Sequence, residues 1–515
     1  MNIKKLTSKY SLFFLLLIFV SIFKLTLINK GAYTFDDETR YFTSGEVLRQ
    51  ASQFNFHKSI ELIFTVQGRP GDAIVKIIPN IFQYITSVLF NYEQYETRNS
   101  FPLFIFNNII STLILVIHYR FSYYFLKSKT LSLFSVFLLS SMIASYISLR
   151  HADPYDLSLL IIYYIFFKVI VQKNIITTNL KNFFYYGFIA FFGYCCYPGY
   201  IMLFLSIPLS YLLLSIKKNN IILTVKQLSN FTLGSLTCLA IFELVAQSVN
   251  KSYINESIIL SQTIIQGSFE ESFSFLFKYL IEAEGFNGII IIIGLGLFIF
   301  QLVMTLAVNK KLNDIQIIFI TLFSIFITYS IFGFYLHKVV WYARLLKQFI
   351  PFLILFTIIS LQFIFEFYNT KNHSKRIIIY SFSLLSLLNF YTKIIEFKTY
   401  YYSKDLIWKL YNSNENIQFT FVNEYTKSTL NPLPEQRFSK GDSIKSKKYI
   451  CTIGSISPFD NLNDFQLYKP KKNEKLIFSK PSFCNFKAYQ YEGLGIKGRA
   501  NLDKVTINIK AYEKD

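Results

Sequence analysis

The chain has 515 residues, of which 52% are hydrophobic and only 16% charged, whereas about a quarter are charged in a typical soluble domain. This balance excludes an ordinary soluble protein and predicts an integral membrane protein. The net charge of +21 does not indicate nucleic-acid binding, because much of the positive charge lies in short connections between apolar segments.

Eleven apolar segments have about the length that a helix needs to cross a hydrocarbon core of roughly 30 Å. These predicted spans are 11–28, 101–120, 130–148, 157–171, 183–197, 200–215, 229–248, 288–308, 315–334, 347–366 and 377–395. The first lacks a small-residue cleavage site, which favours a retained signal anchor. The turn at 197–199 leaves open that the spans on either side of it form one broken helix.

The charges between the spans predict their orientation. Lys4, Lys5 and Lys9 precede the first span, and every second connection after it is basic with few acids. By the positive-inside rule these connections and the N-terminus lie in the cytoplasm. The C-terminal segment then lies outside the cell membrane.

Three outer segments are too long to be simple connectors: 29–100, 249–287 and 396–515. The first contains a predicted short helix at Glu46–Phe56, lying on the membrane surface. The last is rich in Lys and Pro and predicts a β-rich or α+β domain. The chain therefore divides into an all-α polytopic membrane domain, residues 1–395, and a C-terminal extracytoplasmic domain, residues 396–515.

The five cysteines form two groups. Cys195, Cys196 and Cys238 lie in predicted spans and are expected to pack as small apolar residues. Cys451 and Cys484 both lie in the outer domain, where a disulfide is compatible with an oxidising compartment. The sequence leaves that bond open and contains no zinc-like spacing.

An acidic cluster, Asp36-Asp37-Glu38, follows the first span by a few residues. Arg40 and Tyr41 come directly after it and could orient a carboxylate. A carboxylate at a membrane surface could accept a proton from an acceptor hydroxyl or amine, or bind a divalent cation. An ordinary solvated loop is the alternative interpretation.

Two further groups of charges are predicted on the same face. Arg69 lies in a turn rich in Gly and Pro and could hold a phosphate, although a solvated arginine is equally compatible with a turn. Arg150, Asp153 and Asp156 lie between the third and fourth spans. Asp156 begins the next helix, so interaction with the helix dipole alone could explain it.

A basic, aromatic stretch precedes the tenth span, on the side where the positive-inside rule does not ask for cations. An aromatic belt with a snorkelling lysine accounts for Trp341, Tyr342 and Lys347. It accounts less well for Arg344. Cations at headgroup level suit a lipid-linked phosphate. Together, the acids and the cations predict a site at the outer interface for a phosphorylated lipid and a polar acceptor.

In order and topology these motifs resemble the GT-C superfamily of polytopic glycosyltransferases, especially the bacterial branch similar to protein O-mannosyltransferases and the lipid A aminoarabinose transferase. That branch typically reads Asp-Glu-x-x-Tyr in its first outer loop, where this chain has residues 37–41. Its Pro-Pro-Leu turn is matched by 69–72 with one proline lost. Its late Tyr–Arg/Leu–Pro pattern is matched by Tyr342, Arg344 and Pro351. The resemblance covers about residues 10–360.

The resemblance implies an enzyme of the bacterial inner membrane that uses a polyprenyl-phosphate or polyprenyl-pyrophosphate sugar and a glycan, lipid or protein acceptor. Asp37 would be the general base or acceptor-orienting residue, with Asp36 open because the register is uncertain by one, and Glu38 beside them. Inversion by direct displacement is expected, and metal dependence, which varies across the superfamily, stays open. The residues implied for binding donor phosphate are Arg69, Arg150, Lys338 and Arg344; those in supporting roles are Arg40, Tyr41, Asp153, Asp156 and Tyr342.

Two alternatives remain. A transporter or flippase for lipid-linked glycans would place ionisable residues deep within spans, whereas the notable charges lie at span ends, with Glu243 and Lys168 the nearest exceptions. A glycan ligase or polymerase would need the outer segment 249–287 to carry its chemistry. The sequence does not identify the sugar or the acceptor.

Overall fold

The structure is a computed structural model. It describes residues 3–27, 39–64, 69–90, 101–147, 149, 154–172, 180–216, 221–266, 273–334, 342–399, 417–421, 447–452, 470–481, 485–493, 496–504 and 508–514. Within these ranges the protein is mostly helical, with one small sheet near the C-terminus.

The helices follow one another through most of the chain. The first group is α1 (Ile3–Leu25), α2 (Thr39–Ser52), α3 (Phe56–Phe64), α4 (Pro70–Val75), α5 (Ile77–Phe90), α6 (Phe101–Leu126), α7 (Lys129–Ser140), α8 (Ala144–Ile147), α9 (Tyr155–Gln172), α10 (Leu180–Cys196) and α11 (Ile201–Ile216). The second group is α12 (Ile221–Gln247), α13 (Tyr253–Gln266), α14 (Ser274–Glu282), α15 (Phe286–Ala307), α16 (Asp314–Phe334), α17 (Ala343–Leu346), α18 (Ile350–Phe367), α19 (Asn372–Thr399), α20 (Lys487–Gly493) and α21 (Ile496–Leu502).

Eight helical segments in the described ranges are long and apolar enough to cross a membrane. They are Pro70–Phe90, Phe101–Leu126, Pro198–Ile216, Ile221–Gln247, Phe286–Ala307, Asp314–Phe332, Ile350–Phe367 and Asn372–Thr399. Two shorter apolar helices, Ser11–Leu25 and Lys129–Ser140, join them. A helical membrane protein is therefore confirmed.

All eleven predicted spans overlap helices, but their number is not confirmed, and the predicted single span 130–148 is divided into α7 and α8 by a break at 141–143. Seven of them coincide with long apolar helices, and two coincide with the shorter ones. The remaining two are α9 and α10, where polar and small residues interrupt the apolar sequence. The structure adds Pro70–Phe90, which lies inside the predicted outer loop 29–100. That loop also contains α2, which overlaps the predicted surface helix at Glu46–Phe56.

The interior is packed by aromatic rings and by close helix contacts. At its centre the ring of Phe121 on α6 lies 5.5 Å from Tyr163 on α9 and 5.9 Å from Phe352 on α18. Elsewhere α10 and α12 touch backbone to backbone, because a Cβ at Gly187 or at Gly234 would lie within 2 Å of a carbonyl oxygen of the facing helix. Such small-residue contacts are how helices approach closely in a bilayer.

The segments 183–197 and 200–215 form two helices, not one broken helix. Pro198–Tyr200 form a single 3₁₀ turn, and the chain reverses there. Reversal follows from ring contacts at both ends of the pair, since Phe183 lies 4.9 Å from Tyr211 and Tyr194 lies 6.0 Å from Phe204. The two-helix interpretation of the sequence is therefore confirmed.

The C-terminal segment contains both strands and helices. The sheet has β1 (Ile417–Phe421), β2 (Lys447–Thr452), β3 (Glu474–Pro481) and β4 (Asn508–Lys514) in the order β1-β2-β4-β3, with β1 parallel to β2 and the other pairs antiparallel. Helix α20 packs on the membrane domain through Tyr491, whose ring lies 5.4 Å from Phe275 and 5.7 Å from Tyr279. The domain is therefore α+β in its described part and contacts the helix bundle.

The three cysteines of the membrane domain are buried and unbonded, as the sequence predicted. Cys195, Cys196 and Cys238 are each almost inaccessible. The hydroxyl of Tyr253 donates to Sγ of Cys195 across 3.4 Å. Cys484 and the side chain of Cys451 lie outside the described residues, so their pairing stays open.

Candidate functional site

The described residues contain only part of the predicted site. Predicted residues that lie outside the described ranges are Asp36, Asp37, Glu38, Arg150, Asp153 and Lys338. Arg40 and Tyr41 fall in the first turn of α2, but their side chains are outside the description. The residues whose surroundings can be examined are Arg69, Asp156, Tyr342 and Arg344.

The structure brings Arg69 and Arg344, which are 275 positions apart, to one group of aromatic rings. The guanidinium of Arg69 lies over the ring of Tyr197, 5.0 Å from its centre. The Tyr197 ring meets that of Tyr155 at 4.6 Å. Arg344 donates from Nη1 to the Tyr155 hydroxyl across 2.8 Å and stacks over Tyr342 at 4.5 Å. These five residues are called the arginine–tyrosine cluster.

The local sequence explains how Arg69 reaches this cluster. Arg69 is the N-cap of α4, and Pro70 occupies the first helical position, where its fixed φ suits a helix start. Gly71 lies against the end of α10, since a Cβ there would be 2.9 Å from the backbone nitrogen of Cys196. A larger residue would push α4 away from α10. The glycine therefore keeps Arg69 beside Tyr197, which follows α10 directly.

A buried ion pair lies beside the cluster. Nζ of Lys347, just before α18, lies 2.5 Å from Oδ1 of Asp156, the second residue of α9, and both side chains are about nine-tenths buried. The snorkelling interpretation of Lys347 is therefore wrong, because its ammonium is held inside the bundle by Asp156. Asp156 does lie in the first helical turn, as predicted, but dipole stabilisation is not its only interaction.

The ion pair lines a small cavity of about 20 Å³, called the polar pocket. Its walls also include Ser111 and Ser145. Lys24, at the end of α1, is fully buried next to it and donates to the hydroxyl of Ser111. Oδ2 of Asp156 makes no hydrogen bond within the described part of the chain. The pocket thus combines one ion pair and two hydroxyl groups in an apolar surround, with the amine of Lys24 next to it.

The C-terminal domain reaches the edge of this region. Helix α20 packs on α17, the short helix that begins at Ala343 and carries Arg344. Tyr200, in the turn before α11, is fully buried, and its hydroxyl interacts electrostatically with the carboxylates of Asp156 and Glu492. Residues from α9, α17, α20 and the α10–α11 turn therefore converge at one end of the bundle.

A second buried carboxylate braces the wall of the pocket. Glu284, in the connection between α14 and α15, accepts the backbone N–H groups of Ile143 at 2.7 Å and Ala144 at 2.9 Å, and the hydroxyl of Tyr279 at 3.0 Å. Burial is the main cause that raises the pKa of Glu284 to about 7, and these hydrogen bonds oppose the increase. Glu284 fixes the break between α7 and α8, next to Ser145.

Several of these residues were missed by the sequence reasoning. Tyr155 and Tyr197 carry no signal in a chain with 37 tyrosines. Lys24 did carry one, because it is the single charged residue in the apolar segment 11–28. Glu284 carries no signal of its own, because it is one of several acids in the outer segment 249–287. Its buried role could not be recognised without the contact to α8.

The described residues contain no group of three or more His, Cys, Asp or Glu side chains that could hold a metal ion. The acidic cluster at 36–38, where the sequence leaves a divalent cation open, is not among them. A divalent cation at residues 36–38 therefore stays a prediction.

No protein-family model matches the chain, and no curated protein is significantly similar to it. The GT-C resemblance therefore rests on the order of its short motifs and on the predicted topology. The resemblance implies that Arg69 and Arg344 bind one donor phosphate, and the structure brings both to the arginine–tyrosine cluster.

Proposed function

We propose that the protein is a membrane glycosyltransferase that moves a sugar from a polyprenyl-phosphate-linked donor to an acceptor at the extracytoplasmic face. The observation that carries the proposal is the convergence of Arg69 and Arg344 on Tyr197 and Tyr155. Each arginine reaches the same end of the bundle from a different segment. Two guanidinium groups in this position suit the phosphate of a lipid whose chain lies in the bilayer.

Phosphate binding by these arginines would also assist the chemistry. The anomeric carbon must lose its bond to a phosphate oxygen, and the leaving polyprenyl phosphate keeps that electron pair. Cations that neutralise the developing charge lower the barrier most when they are already oriented. Stacking on tyrosine rings orients both guanidinium groups before the donor arrives.

The acceptor supplies the other half of the reaction. Its hydroxyl or amine attacks the anomeric carbon, and its proton passes to a carboxylate, which we assign to Asp37 with Asp36 as the open alternative. Direct displacement by the acceptor would invert the anomeric carbon.

A flippase for lipid-linked glycans is the second candidate, because Lys24, Asp156 and Lys347 form a buried charged group. These three residues lie at helix ends, however, which favours a site at the interface over a path through the bundle. Of the two charged residues noted within predicted spans, Glu243 is half-buried near the end of α12 and accepts the backbone N–H of Ile254. Lys168, the other charged residue noted within a predicted span, lies over the ring of Tyr164.

Mass spectrometry of the envelope in a deletion strain tests the proposal. We expect one sugar to be missing from a glycan, lipid or protein, and to return with the wild-type gene but not with Arg344→Gln, Arg69→Gln or Asp37→Asn. Lys310→Gln, an exposed change in the connection between α15 and α16, is the control that should restore it.

The same measurement separates the alternatives. Loss of every sugar that follows one flipped intermediate, with that intermediate accumulating, would support a flippase instead. Loss of a whole polymer would support a ligase or polymerase. Full restoration by all three site variants would overturn the proposed site.

A further inference from the structure

The helical segment Pro70–Phe90 has its polar and apolar faces reversed relative to a helix in water. Its buried polar residues are Asp72, Lys76, Asn80 and Gln83. Their spacing of four, four and three residues places them within about 80° of arc at 100° per residue. Lys76 and Asp72 form an ion pair of 2.8 Å inside this face. The large apolar side chains point the other way and are exposed: Ile74, Ile78, Ile81, Phe82, Ile85, Val88 and Leu89.

We propose that α4–α5 lies flat in the outer membrane–water interface, with its apolar face on the acyl chains, and does not cross the bilayer. The partner of this surface is the lipid itself. An apolar face of this size is not stable in water, whereas an interfacial helix buries such a face about 5–10 Å into the headgroup and acyl boundary.

The position of α2 argues against a crossing helix. α2 contacts both α4 and α5, and Gly45 on α2 lies against the side chain of Asn80. α2 also carries the exposed ion pair of Glu46 and Arg49. If α4–α5 crossed the bilayer, α2 would be drawn in beside it, and each of these charges would cost about 2.5–3.5 kcal/mol at the centre. A flat α4–α5 leaves α2 on its aqueous side.

The charges of the sequence give an independent argument. A crossing α4–α5 would place the connection 91–100 in the cytoplasm, although it carries two glutamates and only one arginine. It would also move every later basic connection to the outer side, against the positive-inside rule. A flat helix keeps 29–100 on one side of the membrane and preserves the predicted orientation.

The arrangement has a consequence for the candidate site. Arg69 caps the first turn of α4, so a helix lying in the interface holds the guanidinium at the depth of lipid headgroups. The inference itself does not depend on glycosyl transfer. It would stand if the protein bound a different phosphorylated lipid.

Depth-dependent fluorescence quenching tests the orientation. In full-length protein, Trp341 and Trp408 are replaced by Phe. Single tryptophans are then introduced as Ile74→Trp, Phe82→Trp and Leu89→Trp. Each variant is reconstituted with lipids brominated at defined positions of the acyl chain. Ile289→Trp, Leu297→Trp and Met304→Trp in α15 form the control series, with the same 15-residue extent. A crossing helix spreads 15 residues over about 22 Å of depth.

We expect the three α4–α5 positions to be quenched most strongly at one shared, shallow depth, while the α15 series passes through the bilayer centre. A graded depth in α4–α5 matching that of α15 would overturn the proposal, and so would the absence of quenching at all three positions. The α15 series also verifies that each preparation is inserted and folded.

Cysteine labelling in intact cells gives a second readout that does not use tryptophan. In a variant whose five native cysteines are replaced by serine, Ser52→Cys on α2 and Ser100→Cys before α6 should both react with a membrane-impermeant maleimide added from outside. Labelling of only one of the two would mean that α4–α5 crosses the bilayer.

Discussion

The buried pair of Asp156 and Lys347 allows a quantitative test of the packing around the polar pocket. Asp156→Asn keeps the shape of the side chain but removes its charge. Lys347 then remains in a site where its ammonium is about nine-tenths buried. We expect the free energy of unfolding to fall by about 3–5 kcal/mol, the cost of breaking a buried ion pair.

The structure sets the scale of this loss. At 2.5 Å and an effective dielectric constant of about 20, the attraction between unit charges is about 7 kcal/mol. The cost of removing both charges from water offsets part of it. Removing both charges together, as Asp156→Asn with Lys347→Met, leaves no uncompensated ammonium at position 347. The double variant should therefore be at least about 2 kcal/mol more stable than Asp156→Asn alone.

Equilibrium unfolding in mixed micelles, measured on the wild type, both single variants and the double variant, gives the coupling energy directly. A loss below about 0.5 kcal/mol for Asp156→Asn would mean that the pair does not stabilise the bundle. Additive effects of the two single changes would show that the charges act independently. Either result would refute the description of the pair as one buried unit.

Three further predictions follow from the same structure. Gly234→Ala should lower the free energy of unfolding by about 1–3 kcal/mol, because its Cβ would lie 1.9 Å from the carbonyl oxygen of Phe184. The control Gly296→Ala, where a Cβ would meet nothing within 4 Å, should raise the free energy of unfolding by about 0.5–1 kcal/mol. Equal effects of the two changes would contradict the close contact between α10 and α12. Since the pKa of Glu284 is raised in the folded state from 4.5 to about 7, stability from this group should be greatest below pH 4.5 and fall by an amount on the order of 3 kcal/mol as the pH rises through 7. Glu284→Gln should remove that slope in pH-dependent unfolding, and an unchanged slope would assign it to other groups. Arg344→Lys should lose most sugar transfer without loss of expression, because lysine cannot both donate to Tyr155 and stack on Tyr342; wild-type transfer would contradict a role for the guanidinium geometry.

The sequence predicted the helical membrane domain because hydropathy is a local property. All eleven predicted spans overlap helices, and the α10–α11 turn lies where Pro198 and Gly199 interrupt the apolar pattern. The apolar residues of 70–90 were overlooked because they alternate with Asp72, Lys76 and Asn80. A buried polar face in a lipid-facing helix lowers the hydropathy signal that a span search uses.

The site was less predictable because it depends on contacts between distant segments. Arg69 and Arg344 were each noticed from their position at a predicted membrane face, but only the fold connects them through Tyr155 and Tyr197. Lys347 was interpreted from its neighbours as a snorkelling residue, whereas its partner Asp156 lies 191 positions away. Local sequence contains no information on that pairing.

Release of polyprenyl phosphate is the step that a glycosyltransferase carries out and a flippase does not. Purified protein is reconstituted in proteoliposomes with the lipid-linked sugars and acceptors extracted from its own envelope, and the freed lipid phosphate is quantified by mass spectrometry. We expect time-dependent release by the wild type and by Lys310→Gln, and little release by Arg344→Gln or the double change Arg69→Gln and Arg344→Gln. Equal release by the wild type and the double variant, or no release by any of them, would contradict the proposed glycosyl transfer.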